Sequence, residues 1–216
     1  MDIATIKQKL TADVLQGLYV RHGAEWGRVN IAGFRSGLSS ARDMFDDLIC
    51  ICIVMGMGVV PVPVLKVYEA TTDPGKWWTL NPVTYKGVKG AAHLCPGFYK
   101  DMWQRGIHAK GSAFAHEALV ASSARIRFWR DANKNSIYDP ATDPIQEDYN
   151  YNIGINCHRA GLDDPENIGK YGAGCQVIHH HHDQEEMIAM IKALPVSAIQ
   201  QSKFDYLLMD ANEVVI

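Results

Sequence analysis

The sequence predicts a β-rich α+β fold in a single domain. Three observations carry that expectation. Short apolar stretches alternate with a period of two, as in ARIRFWRD (124–131); turn signals separate them, Asp73-Pro74-Gly75 being the strongest; and helical patterns occur near each end of the chain.

Taken in order, Ile6, Leu10, Val14, Leu15 and Leu18 fall at helical spacing, so residues 4–20 are expected to form a helix within an N-terminal arm, residues 1–25. Residues 26–216 are expected to form the β-rich domain. GRVNIAGFR (27–35) and FDDLICICIVM (45–55) read as strands. Leu48–Leu65 is apolar for eighteen residues, close to a membrane span, but Gly56, Gly58, Pro61 and Pro63 interrupt it; two buried strands joined by a Gly/Pro turn are expected, with no stable membrane insertion.

CPGFYKDMWQRGIHAKG (95–111) reads as short extended pieces separated by glycines, and SAFAHEALVASS (112–123) as a short helix or a loop with a helical turn. DYNYNIGINCHRA (148–160) reads as a strand that ends at His158. GCQVI (174–178) fits a strand start or a helix N-terminus. DQEEMIAMIKAL (183–194) is an amphipathic helix with acids in its first turn and Lys192 near its end, matching the helix dipole; KFDYLLMD (203–210) closes the chain as a strand.

Composition excludes several classes. The 216 residues are 47% hydrophobic and 21% charged with a formal net charge of −3, which gives no electrostatic reason for a nucleic-acid partner. Five cysteines, an odd number with no CxxC pair, do not form a disulfide framework. Acids and lysines run through the first 23 residues, so no secretory signal peptide is read there.

The chemistry concentrates in GINCHRAGLDDPENIGKYGAGCQVI (154–178). A cysteine nucleophile needs a base for its proton and donors for the oxyanion formed on attack. Gly174 permits close approach of a substrate carbonyl to Cys175, and the N–H groups of Gly174 and Cys175 are oxyanion-hole candidates. His158 precedes Cys175 by 17 residues, across a Gly/Asp/Pro-rich loop able to fold back. Cys157 points to the opposite strand face and is expected to be a core thiol.

These residues resemble the catalytic motif of the L,D-transpeptidase (YkuD-type) domain, in which a strand-borne histidine precedes Ser/Thr-His-Gly-Cys. His158 takes the base position and Gly174-Cys175 the Gly-Cys position, while Gly172 replaces the Ser/Thr, Ala173 the second histidine, and Gln176 the usual aliphatic residue. The chain is also similar to a group of bacterial and phage proteins with TTDPG, GxH, RDxNxD and INxHRA…SAGCQV in series, here TTDPG (71–75), GIH (106–108), RDANKN (130–135), INCHRA (155–160) and GAGCQVI (172–178).

The resemblance implies a transpeptidase-like β-sandwich or barrel and a peptidoglycan stem-peptide substrate. It implies Cys175 as nucleophile and His158 as base, with water or an amine accepting the acyl group. His108 and Arg159 are candidates for orienting the imidazole or gripping a substrate carboxylate, and Tyr171 for walling the cleft. Without a signal peptide, the protein is expected to be made in the cytoplasm and to reach the cell wall as a phage lysis or virion protein or through a secretion apparatus. The alternative is a non-enzymatic wall-binding or virion structural module that keeps the fold.

No cofactor is required by this chemistry. Asp131, Asn133, Asn135 and Asp139 have the spacing of a calcium loop, but Ser136 and Thr142 stand where an EF-hand has Gly and Glu, so either a looser calcium site or an Asx-rich turn is expected. His179–His182 reads as a polar lead-in to the following helix, the alternative being a zinc enzyme that uses His179 or His181 with Cys175. Trp77, Trp78 and Trp103 are expected in the core rather than as sugar-stacking platforms.

Overall fold

The computed structural model describes residues 1–37, 43–55, 62–194 and 202–215. Eight strands close into a barrel: β1 (Val29–Arg35), β2 (Asp47–Met55), β3 (Val62–Thr71), β7 (Gly97–His108), β8 (His116–Ala121), β11 (Cys157–Arg159), β12 (Gln176–Ile178) and β13 (Lys203–Asp210). Their order around the barrel is β1-β13-β7-β8-β11-β12-β3-β2. A three-stranded sheet of β6 (Ala91–Leu94), β9 (Arg125–Asp131) and β10 (Ile145–Tyr149) lies beside it, with a small hairpin of β4 (Thr84–Tyr85) and β5 (Val88–Lys89).

The continuous apolar character of β1 and of the first half of β2 has a simple cause: both faces are covered. Ile31, Ile49 and Ile51 fill the barrel with Tyr68, Trp103, Leu119 and Tyr206. Phe34, Cys50 and Cys52 face outward and pack under Ile6, Leu15, Leu18 and Tyr19 of α1 (Ile3–Lys9) and α2 (Ala12–Arg21). Met187, Ile188 and Ile191 of α5 (His181–Lys192) join the barrel core from another side. Among the described residues, no helix is long and apolar enough to cross a membrane. The apolar run 48–65 divides into β2 and β3, paired antiparallel from Asp47↔Ala70 to Met55↔Val62; its Gly/Pro turn lies outside the described residues.

Four local expectations are corrected. The helix over 4–20 is two helices, broken where the Thr11 hydroxyl accepts the Val14 N–H as the N-cap of α2. Residues 95–111 do not form separate short pieces but contain one twelve-residue strand, β7. Its Gly106 marks a close approach rather than a break, because a Cβ there would lie 2.6 Å from Val120 Cγ2. The segment read as a helix at 112–123 contains strand β8, whose pairing with β7 from Trp103↔Ala121 to His108↔His116 overrides its local propensity. Residues 148–160 are not one strand: α4 (Asn150–Ile153) and Gly154, at φ +83°, separate β10 from β11.

Candidate active site

β11 and β12 run parallel and adjacent, with register Cys157↔Gln176, His158↔Val177 and Arg159↔Ile178. A parallel pair needs a crossover, and the loop over 160–175 supplies it. The loop is fastened by Gly75 N–H to Gly172 O (2.8 Å), by Trp78 Nε1–H to Lys170 O (2.9 Å) and by Gly169 N–H to Asp43 Oδ1 (2.9 Å). TTDPG thus anchors the loop that precedes the cysteine.

Two cysteines flank this strand pair. Cys157 faces the barrel core with Ile155 and Ile178, and burial pushes its thiol well above the usual range. Cys175 lies just before β12, its sulfur against the Asn156 N–H and the Gly154 carbonyl, and it is close enough to Cys157 to add to the rise of that thiol's pKa. Gly174 adopts φ +122°, and a Cβ there would lie 2.6 Å from Ala92 O, so glycine is required at this step. Among the described residues, the N–H groups of Gly174 and Cys175 donate to no protein acceptor, as an oxyanion hole requires.

His158 is 3% exposed. Its Nδ1 lies 2.7 Å from the carbonyl of Arg159, which fixes the proton on Nδ1 and leaves the lone pair on Nε2; that atom is buried and has no hydrogen-bond partner. Burial, then the nearby His108, press its pKa down to about 3, so the ring is neutral at pH 7. His108 stacks on it at 3.8 Å between ring centres, and His116 stands 6.0 Å away. Burial, then His116, lower His108 to about 4; burial also lowers His116, whose Nδ1 lies 2.8 Å from Phe114 O.

These three histidines open on a cleft of about 740 Å³ whose walls include Arg159, Tyr171, Lys170, Phe114 and Leu162. The structure therefore gathers His158, His108, Arg159 and Tyr171 in one place. Cys175 is not among the residues lining this cleft. Its sulfur is 3.5 Å from the Asn156 N–H and 3.6 Å from the Gly154 carbonyl, and burial pushes the thiol up to about 11 against the lowering effect of Asn156 N–H. With Nε2 of His158 unpartnered, thiol and imidazole are not hydrogen-bonded to one another. Both are neutral, which is not the thiolate–imidazolium pair of a pre-ionised cysteine enzyme.

No family model, curated protein or solved structure matches this chain.

Two residues that sequence reasoning missed belong to this site. His116 was hidden by the helical reading of its segment; its register with His108 reveals it. Asn156 joins the two halves of the site. Its backbone N–H touches the Cys175 sulfur, its Oδ1 accepts Ala121 N–H at 2.7 Å, and its Nδ2 donates to His108 Nδ1 at 3.0 Å.

The remaining sequence candidates lie elsewhere. In the Asp131–Asp139 loop, Asp131 accepts the N–H groups of Asn135 and Ser136, Asn133 accepts Asn135 N–H, Asn135 accepts Ile137 N–H, and Asp139 accepts Ala141 N–H. This is the bonding of an Asx-rich turn. Trp103 is in the core, its Nε1–H on Ile155 O, whereas Trp77 is 38% exposed with the Lys170 ammonium 4.7 Å over its ring. Among the described residues, Cys175 is absent from the two groups of histidines and acids that could hold a metal, Glu69/His179/His180 and Asp164/His181/His182.

Proposed function

We propose that the chain is a cysteine-dependent acyl-transfer enzyme acting on peptidoglycan stem peptides, built on a transpeptidase-like barrel. The observation that carries this reading is the state of His158: a neutral imidazole oriented by a backbone carbonyl, its Nε2 buried and unpartnered, on a residue that lines a large cleft and a strand parallel to the one that Cys175 precedes. That is the arrangement of a general base with its orienting partner.

Because both groups rest neutral, proton transfer accompanies attack. Cys175 Sγ forms the bond to the substrate carbonyl carbon as its proton passes to His158 Nε2, and the N–H groups of Gly174 and Cys175 receive the oxyanion. Collapse breaks the C–N bond, and the imidazolium returns the proton to the leaving amine. Water or a second amine then releases the acyl group. Arg159 and Lys170 bring cations to a peptide carboxylate, while Tyr171, Phe114 and Leu162 supply apolar walls. The sulfur must leave its contacts with Gly154 O and Asn156 N–H to reach substrate. The cell wall is the place of action, reached through phage or secretion machinery.

The closed position of the thiol favours a second reading, a non-enzymatic wall-binding or virion module that keeps the cleft without using the cysteine. Purified protein incubated with muropeptides separates the two. Wild type should release or exchange peptide, and Cys175→Ala and His158→Ala should each lower the rate by about a thousandfold or more. No turnover by wild type, or turnover by both variants at the wild-type rate, overturns the enzyme; sacculus binding without turnover then supports the module.

A further inference from the structure

The histidine run is more ordered than a polar lead-in. His179 and His180 lie between β12 and α5, and Glu69 of β3 faces both. The His179 ring is stacked on Phe45 at 4.3 Å, with 8° between the planes. Its Nε2 lies 3.0 Å from the carbonyl of Pro165, so the proton sits on Nε2. Nδ1 is buried, has no hydrogen-bond partner, and stands 3.9 Å from Glu69 Oε2. His180 is held in the complementary way: Nδ1 is 3.4 Å from Asp164 Oδ2, and Nε2 is 4.0 Å from the same Glu69 Oε2. Lys7 occupies the other oxygen, Oε1, at 2.9 Å.

We propose that His179 Nδ1, His180 Nε2 and Glu69 Oε2 form a binding site for a zinc-class divalent cation. These three atoms lie within 4.8 Å of one another. Ligands on tetrahedral zinc, at about 2.0–2.2 Å from the metal, are separated by roughly 3.3 Å, so closing the site draws the three atoms together by up to about 1.5 Å, shared among the side chains. Two imidazole nitrogens and one carboxylate favour zinc, cobalt or nickel over calcium or magnesium, which prefer oxygen. Each histidine also has the partner that metal-ligating histidines require on the far nitrogen, a backbone carbonyl for His179 and a carboxylate for His180. The fourth position is left for water.

A cation there would fasten β3 to the start of α5. Through Pro165 and Asp164 it would also brace the loop that carries Lys170 and Tyr171 to the cleft. This inference does not depend on the acyl-transfer reading.

The full chain, free of any added affinity tag, is dialysed against zinc chloride, and bound metal is measured per chain. One zinc per chain is expected, with a rise in Tm. Glu69→Gln should weaken binding at least tenfold, and Asp164→Asn by 10- to 100-fold, as for other outer partners of ligating histidines. His182→Ala should leave affinity unchanged. Cobalt substitution should give the visible absorption of a tetrahedral site in wild type, lost in His179→Ala. If Glu69→Gln binds zinc like wild type, or if His182→Ala loses as much affinity as His179→Ala, the four histidines bind as a flexible run and the site is wrong.

Discussion

His158 and His93 are the same side chain at almost the same depth, and the structure puts them to opposite uses. Each is at most 3% exposed, each is stacked face to face on another ring, and each keeps a buried Nε2 without a hydrogen bond. The partner of Nδ1 differs. His158 faces a carbonyl at 2.7 Å, whereas His93 lies 2.9 Å from the Asp73 carboxylate, which Arg35 Nε also approaches to 3.2 Å. Burial pushes Asp73 up, but Arg35 and His93 outweigh it and hold the carboxyl below its usual range. Arg35 ends β1, Asp73 follows β3, and His93 lies on β6, so this charged cluster ties the barrel to the side sheet. The His158 cluster has no counter-charge bonded to its imidazole. The carboxylate makes His93 part of a structural brace; His158 has only a carbonyl, which raises its pKa, and burial and the neighbouring His108 outweigh that and keep the ring neutral.

The largest expected effect tests that division on stability. Asp73→Ala leaves Arg35, 8% exposed, without its closest carboxylate, and should cost about 3–5 kcal/mol in urea unfolding. His158→Ala loses a stacked neutral ring and should cost clearly less. If the two costs are equal, the contrast between brace and base fails.

Acid titration sharpens the comparison at intermediate scale. In the unfolded chain histidine titrates near 6.5, whereas His158 and His108 in the fold are lowered to about 3 and about 4. Between pH 6.5 and 4 the unfolded chain therefore binds more protons at these sites, and the stability they allow falls as pH falls, by up to about 1.4 kcal/mol per unit and group. The brace side has the opposite sign. Burial, then Asp73, raise Asp47 to about 7, so through pH 4–7 the folded state holds the extra proton and stability falls as pH rises. Urea midpoints at pH 4.5, 5.5 and 6.5 should show wild type losing stability towards acid. A His108→Gln/His158→Gln variant should show a flattened slope, and an unchanged slope would remove the cleft as its source.

How far this was legible in the sequence depends on range. β1 and β2 were legible because apolar β-branched runs dominate them, and the core position of Cys157, opposite His158, followed from strand alternation. His116 was not, because Ala118, Leu119 and Val120 fit a helix as well as a strand until β7 selects one. The parallel pairing of β11 with β12 depends on a loop fastened by TTDPG, a contact between segments about 100 residues apart that no local pattern encodes. The Asp73–His93–Arg35 cluster is silent for the same reason: its members sit in three segments whose meeting only the closed barrel dictates. The proximity of His158 to Cys175 in sequence was informative; the inward turn of the thiol was not, since it depends on Gly154 O and Asn156 N–H.

The smallest effect asks whether a single dipole sets the state of the stacked pair. Asn156 Nδ2 donates to His108 Nδ1, so His108 carries its proton on Nε2. Asn156→Asp keeps the acceptor for Ala121 N–H but replaces that donor with a second acceptor. His108 must then place a proton on Nδ1, and a carboxylate beside it stabilises the imidazolium, so its pKa should rise from about 4 by one unit or more. The stability change should be of order 1 kcal/mol, because the shape and the Ala121 bond are kept. Nitrogen-15 NMR of the His108 ring reads both the tautomer and the midpoint. Raising His108 towards the charged form also adds repulsion against protonating His158, since the two rings are 3.8 Å apart, so the His158 midpoint should not rise with it. If His108 stays near 4 with its proton on Nε2, desolvation alone fixes the cluster and Asn156 serves only to hold β8.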